Sequence, residues 1–116
     1  MPTIDLTRNP DIRVRLDSFA VPEAARPDFL AATARNLAFL HTLPGFLGHA
    51  VFEKTGGPTS FNIATIAIWQ SQRALDSARE KVRAYYQQIG FDPRAFMARH
   101  GIRGEIGDYG ALPEQA

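Results

Sequence analysis

The sequence contains no cysteine. The absence of thiols excludes disulfide bonds, thiolate metal sites, iron–sulfur clusters and a cysteine nucleophile. The longest nearly apolar run, Ile63 to Trp69, is far too short to cross a bilayer. Residues Met1 to Asp5 lack the basic start and apolar stretch of a secretory signal. We therefore expect a cytoplasmic protein that has no membrane partner.

The chain also has little excess charge, because thirteen basic residues oppose twelve acidic ones and give a formal charge of +1. The bases are scattered, and the densest group, Arg79 to Arg83, is interrupted by Glu80. Nucleic-acid-binding domains usually concentrate positive charge on one face, so no nucleic-acid partner is predicted. The three histidines are too widely spaced for a metal-ligand motif, and no metal site is predicted.

A length of 116 residues fits one domain. The hydrophobic fraction of 45% and the charged fraction of 22% are typical of globular proteins. Residues 1–11 combine charges with two prolines and show no periodicity, so they are predicted to form an N-terminal arm. Residues 12–110 are predicted to form the folded domain, and residues 111–116 a C-terminal tail.

Hydrophobic periodicity predicts four strands and three helices. The strands are expected at about 12–21, 46–55, 60–69 and 102–109, and the helices at about 22–42, 71–89 and 93–100. The first strand alternates apolar and charged residues, but its phase flips near Ser18. Either a β-bulge or chance patterning near the strand end accounts for that flip.

The order strand, helix, strand, strand, helix, strand is that of an α+β, ferredoxin-like βαββαβ fold with an antiparallel sheet. Both helices of this fold lie on one face of the sheet. The third strand, however, is apolar on both of its faces, as the run Phe61 to Trp69 shows. A bare apolar face would be a large exposed patch, which soluble monomers avoid. Packing two sheets face to face solves the problem, so a homodimer is predicted.

Three junctions of the chain resemble those of antibiotic biosynthesis monooxygenases. They are Leu43-Pro44-Gly45-Phe46-Leu47-Gly48 after the first helix, Trp69-Gln70-Ser71 between the third strand and the second helix, and Gly90-Phe91-Asp92-Pro93. The resemblance covers about Ile12 to Tyr109. It implies a dimeric α+β barrel in which each subunit has a pocket between its helices and its sheet.

This resemblance implies a cofactor-independent monooxygenase that acts on an aromatic, quinol-like or polyketide-like small molecule. In such chemistry a substrate carbanion or phenolate transfers an electron to oxygen itself, so no cofactor is expected. The haem-degrading branch of the family uses a histidine on the second helix and an asparagine on the first strand, and this sequence has neither. The alternatives are a non-catalytic dimer that binds a small ligand or regulates a pathway, and an isomerase or cyclase on the same scaffold.

Trp69 and Asn62 are the first candidates for the pocket. Trp69 stands where the family has its tryptophan, and its indole N–H can donate one hydrogen bond; a purely structural core aromatic is the alternative. Asn62 lies in an apolar strand, where a buried amide needs partners. It could orient a substrate oxygen or cap the backbone.

His49 and Tyr85 are the candidate proton acceptors. His49 shares a strand face with Leu47 and Val51, and a histidine there can act as a general base near neutral pH. Tyr85 belongs to the predicted buried stripe of the second helix and could offer its hydroxyl to a pocket. A structural role in the core or at an interface is the alternative for both.

The first strand carries Arg13, Arg15 and Asp17 on one face. We expect these residues to form ion pairs on a solvated or interfacial face. In the alternative interpretation, Arg15 pairs with an anionic substrate oxygen.

Overall fold

The computed structural model describes residues 4–6 and 8–112. Its strands are β1 (Arg13–Ala20), β2 (Phe46–Glu53), β3 (Ile63–Trp69) and β4 (Arg103–Gly110). Its helices are α1 (Arg26–Leu40), α2 (Gln72–Ile89) and α3 (Pro93–His100), and a short 3-10 helix at Glu23–Ala25 precedes α1. The described part of the predicted arm forms turns. Most of the predicted tail, residues 113–116, lies outside the described residues.

The four strands form one antiparallel sheet in the order β2-β3-β1-β4. This order and the two long helices on one face of the sheet confirm the predicted ferredoxin-like α+β fold. None of the helices in the described part of the chain has the length and hydropathy that a bilayer span requires.

Strand β1 keeps one phase along its whole length. Its pairing with β3 runs without interruption from Arg13 opposite Trp69 to Phe19 opposite Ile63, and its pairing with β4 is equally regular. Of the two alternatives for the phase flip near Ser18, the structure excludes the β-bulge and leaves chance patterning. The irregularity of the sheet lies in β2 instead, where the register with β3 shifts between Phe46 and Gly48.

The layer between helices and sheet contains two separate apolar clusters. One lies at the start of α1 and of β4 and is built on Val21, Ala25, Phe29, Ile63 and Ile102. The other lies at the start of α2 and is built on Ala67, Trp69, Leu75 and Ala78. Because the two clusters occupy opposite ends of β3, the middle of the sheet is left between them.

The beginning of β2 packs directly on the beginning of α2. Helix α2 starts at a capping serine, since the Oγ of Ser71 accepts a hydrogen bond from the backbone N–H of Ala74 at 3.1 Å. Gly45 lies against this turn with a φ of 81°, and a Cβ at that position would lie 2.5 Å from the Cβ of Ala74. Glycine therefore permits both the backbone conformation and the close approach of the two elements.

The middle of the sheet face turned away from the helices is apolar. The pairing registers place on this open face the apolar side chains of Val14, Leu16, Ala50, Phe52, Ala64, Ile66, Ile68 and Tyr109, whereas its end at Ser18, Glu105 and Arg103 is polar. Three of the larger ones are 38% (Leu16), 51% (Phe52) and 55% (Tyr109) exposed. This open face accounts for the apolar residues on both faces of β3.

Candidate functional site

A cavity of about 480 Å³ lies between the helices and the middle of the sheet. It occupies the space that separates the two apolar clusters. Six aromatic side chains form much of its wall: Phe19, Phe29, Trp69, Tyr86, Phe91 and Phe96. Its size is that of a site for a small organic molecule.

Trp69 lies in the wall of the cavity, as the sequence suggests. Its side chain is 2% exposed, and its ring packs edge to face on Phe46 at a centroid distance of 5.0 Å. The buried indole Nε1–H has no hydrogen-bond acceptor among the described residues. Trp69 therefore combines a structural position with a hydrogen-bond donor that is not used by the described part of the protein.

Arg15 and Asp17 lie on the floor of the cavity, contrary to the expectation of a solvated or interfacial face. Arg15 is paired with Ala67 of β3, and Asp17 with Thr65, and both of these partners also line the cavity. The ion pair itself is present, with 3.4 Å between the Nε of Arg15 and the Oδ1 of Asp17. The first strand thus turns its charges toward the helices and its apolar residues toward the open face.

The carboxyl group of Asp17 is largely removed from water. Its side chain is 20% exposed, and this burial raises the pKa of Asp17 above its ordinary value. The positive charge and the hydrogen bond of Arg15 oppose the rise in pKa without cancelling it. The cavity floor therefore holds a carboxyl group that gains a proton more readily than a carboxyl group in water.

Tyr86, and not Tyr85, is the tyrosine of α2 that reaches the cavity. Tyr86 is eleven residues after Leu75, which is about three helical turns, so these two side chains share one face of α2. Tyr85 lies on the neighbouring face and stacks on Phe39 of α1 with a centroid distance of 4.0 Å. Burial also raises the pKa of the Tyr86 hydroxyl, against the effects of Arg35 and Arg15.

Asn62 does not line the cavity. Its Oδ1 accepts a hydrogen bond from the backbone N–H of Val21 at 2.8 Å, and its Nδ2 donates one to the carbonyl oxygen of Val21 at 2.8 Å. Asn62 therefore holds the end of β1 against the start of β3, in agreement with the backbone-capping alternative.

His49 also lies away from the cavity, at the edge of the sheet. Its Nδ1 is 2.9 Å from the Nε2 of His41, and together the two imidazoles border a shallow surface groove next to α1. Of the four predicted site residues, only Trp69 lines the cavity, and the structure does not bring Asn62, His49 and Tyr85 together there.

Two residues of the cavity, Asp17 and Tyr86, are not identified as site residues by the sequence pattern. A signal for Asp17 is present in the sequence, because Phe19 follows it at the two-residue spacing of one strand face. A regular strand then places Arg15, Asp17 and the half-buried Phe19 on the same side. The apparent phase flip near Ser18 leaves this relation ambiguous in the sequence alone.

The fold and the cavity define the class of protein: a small ferredoxin-like α+β domain that encloses an aromatic-walled site. The sequence profile of the antibiotic biosynthesis monooxygenase family matches residues 14–86. The chain belongs to this family.

Solved structures of several proteins resemble this one. SnoaB from Streptomyces nogalater, a cofactor-independent oxygenase, is 26% identical, with 90% of this chain and 96% of that chain covered and a TM-score of 0.63. A protein from Shewanella loihica PV-4 is 18% identical, with coverages of 90% and 97% and a TM-score of 0.69. A variant of MhuD, crystallised with two manganese protoporphyrin IX groups per active site, is 17% identical, with coverages of 90% and 98% and a TM-score of 0.65. The last two show the shared fold alone. No curated protein matches the chain significantly.

Proposed function

We propose that this protein is a cofactor-independent monooxygenase that oxidises an aromatic, quinol-like small molecule in the cavity between helices and sheet. The observation that carries the proposal is the cavity itself. Its wall is mostly aromatic and aliphatic, and its polar groups come both from the sheet and from the two long helices. Family membership and the likeness to SnoaB support the same chemistry.

The aromatic wall of the cavity suits an aromatic substrate. Phe19 and Phe29 meet edge to face at 4.9 Å, and Tyr86 and Phe91 do so at 5.1 Å. Such rings offer apolar surfaces against which an aromatic substrate can pack. Once the substrate excludes water, hydrogen bonds and charges inside the cavity act more strongly on it.

The proposed reaction requires no electrons from the protein. A phenol first loses its O–H proton, and the phenolate then reduces molecular oxygen. Overall, one oxygen atom replaces two hydrogens of the substrate, which becomes a quinone, and the other oxygen atom leaves as water. The substrate supplies all four electrons. We assign to the N–H of Trp69, a residue of the cavity wall whose indole donor has no partner among the described residues, the stabilisation of negative charge that develops on a substrate oxygen.

We also propose that the working form is a homodimer. The open face carries an apolar patch in the middle of the sheet, and a second copy offers the same surface through two-fold symmetry. Burying this patch would remove apolar area from water on both subunits.

The direct test is oxygen consumption with 1-naphthol as substrate, measured on protein that has been dialysed against a chelator. We expect oxygen uptake and conversion to 1,4-naphthoquinone, with one labelled oxygen atom incorporated from ¹⁸O₂. The absence of oxygen uptake with 1-naphthol and with tricyclic phenols would refute the proposal.

Replacing Trp69 by phenylalanine tests the role of the indole N–H. An aromatic ring is retained, but the hydrogen-bond donor is lost, and a hydrogen bond to a charged group contributes about 1.5–3 kcal/mol. We therefore expect kcat to fall by roughly 10-fold to 100-fold, with the far-ultraviolet circular dichroism spectrum unchanged. A folded Trp69→Phe variant with the turnover of the wild type would exclude the indole N–H from the reaction.

A further inference from the structure

We propose that Asp17 is the catalytic base of this cavity and that Arg15 positions it and stabilises the anion it generates. This assignment rests on the proposed function, since it concerns the proton that the substrate must lose before oxygen reacts. It differs from the sequence-based choice of His49 or Tyr85, neither of which lines the cavity.

Geometry is the first argument. Asp17 stands near the centre of the sheet, flanked by Thr65 on β3 and Ile106 on β4. All three residues line the cavity, and Asp17 is the only acidic residue among the described side chains that do. A substrate held against the aromatic wall above the sheet therefore meets one carboxyl group.

The electrostatic environment is the second argument. Arg15 on the same strand is the charge that acts on Asp17, and the other charged or titratable groups that line the cavity are Tyr86, Arg79 and Arg83 of α2. The side chains paired with Asp17 on β3 and β4, Thr65 and Ile106, are uncharged. Burial makes the carboxylate a stronger base than it is in water, because the ionised form is poorly solvated.

In the proposed step, Asp17 accepts a proton from the substrate. The proton leaves the phenolic oxygen, or a carbon next to a ketone, and binds to a carboxylate oxygen of Asp17. The electron pair stays on the substrate as a phenolate or an enolate. The guanidinium of Arg15, whose Nε lies 3.4 Å from Asp17, offers its remaining N–H groups to this new anion.

Proton abstraction can be measured without oxygen. The probe is 2-tetralone, a bicyclic ketone whose acidic α-carbon exchanges hydrogen for deuterium in D₂O, followed by NMR under argon. We expect wild-type protein to accelerate the exchange and Asp17→Asn to reduce the acceleration by about 100-fold or more. The matched control is Glu53→Gln on β2, which removes a carboxylate paired with Arg26; neither residue lines the cavity, and the variant is expected to keep the exchange rate.

The pH profile separates the base from its positioning residue. Exchange by the wild type should rise with pH as Asp17 ionises. Because Arg15 lowers the pKa of Asp17, Arg15→Gln should move this rise to higher pH. In Asp17→Asn the rise should disappear. A merely structural role of Arg15 would leave the position of the rise unchanged.

Folding of the key variant is expected on physical grounds. The pKa of Asp17 is higher in the folded state than its ordinary value of 3.8, so the unfolded chain loses the proton first as pH rises. Above pH 3.8 the carboxylate of Asp17 therefore destabilises the fold. The destabilisation grows until the pH passes the folded-state pKa of Asp17 and is constant at higher pH. The Tm of Asp17→Asn at pH values well above this range should equal or exceed that of the wild type.

The outcomes distinguish this inference from the proposed function. If exchange depends on Asp17 but no oxygen is consumed, the monooxygenase proposal is overturned and the assignment of Asp17 as the base is retained. Oxygen uptake and exchange that are both unchanged in Asp17→Asn would overturn the base alone. A wild-type protein that does not accelerate exchange would also overturn the assignment of the base.

Discussion

At the scale of the residue, the position of a charge along a strand is a poor guide to whether that charge is solvated. Arg15 and Asp17 alternate with Val14 and Leu16, a pattern that suggests charges facing water and apolar residues facing a core. The structure has the reverse arrangement with respect to the helices. Strand β1 has apolar side chains on the open face and charged side chains on the cavity floor. This arrangement produces the same alternating sequence as a strand with one face in a core and the other in water.

The roles of Trp69 and Asn62 could be predicted to different extents. The junction motif predicts a position for Trp69 at a pocket, and in the structure Trp69 lies in the cavity wall, whereas its role in a reaction stays a prediction. For Asn62 the sequence leaves two alternatives, because a buried amide needs partners wherever it lies. The choice depends on whether the end of β1 comes within hydrogen-bond distance, and that is a property of the tertiary structure.

The adjacent tyrosines of α2 offer a matched pair of substitutions. Tyr86→Phe removes a hydroxyl from the cavity, whereas Tyr85→Phe removes one from the stack on Phe39 outside it. We expect Tyr86→Phe to alter KM or kcat for 1-naphthol by about 3-fold to 10-fold, the effect of one lost hydrogen bond of about 1 kcal/mol. Steady-state oxygen uptake measures both variants. A larger effect of Tyr85→Phe would place the active surface elsewhere.

At the scale of the element, the helix and strand limits follow closely from the sequence because local signals mark them. Ser71 and Asp92 accept hydrogen bonds from the first turns of α2 and α3, and serine and aspartate are among the residue types that favour this capping position. The sequence predicts less well which side of a helix faces the core. On α2 the predicted stripe contains Tyr85 in place of Tyr86, since a stripe of 3.6-residue period drifts by a residue over several turns.

The contact between β2 and α2 can be tested at Gly45. Gly45→Ala combines an unfavourable positive φ with an overlap against Ala74. Gly57→Ala is the matched control, because Gly57 has a φ of 97° and no described atom lies within 4 Å of the position that its Cβ would take. We expect Gly57→Ala to cost about 1 kcal/mol of unfolding free energy and Gly45→Ala about 1–3 kcal/mol more.

Urea unfolding followed by circular dichroism gives both free energies. Equal losses in the two variants would mean that β2 moves away from α2 without cost, and that their close approach does not stabilise the fold.

At the scale of the whole molecule, the fold class is predictable because element order and hydrophobic periodicity agree with each other. The hydrophobic pattern of β3 also predicts that its face turned away from the helices is apolar, and the pairing registers show that face. The cavity is predictable only as a consequence of the family resemblance. Its floor depends on the pairing register of β1, which short-range patterns do not determine.

The proposed dimer can be tested on two neighbouring residues of β2. Phe52 is paired with Ala64 on the open face, and Val51 with Thr65 on the opposite face; the two are 51% and 43% exposed. We expect Phe52→Glu to weaken self-association by more than about 100-fold, since it would bury an unpaired charge in each copy. Val51→Glu should remain a dimer.

Sedimentation velocity at micromolar concentration measures the association state of the three proteins. A wild-type protein that sediments as a monomer under these conditions would contradict the dimer. Equal behaviour of Phe52→Glu and Val51→Glu would place the interface on another surface.

The single tryptophan of the chain gives this molecule an intrinsic optical reporter. Its indole lies in the wall of the cavity and is shielded from water, so its fluorescence is sensitive to any occupant that packs against it. Quinones and extended phenols quench indole emission on contact. Ligand affinities can therefore be measured on unlabelled protein and without turnover, and selective excitation of indole confines the signal to this one position.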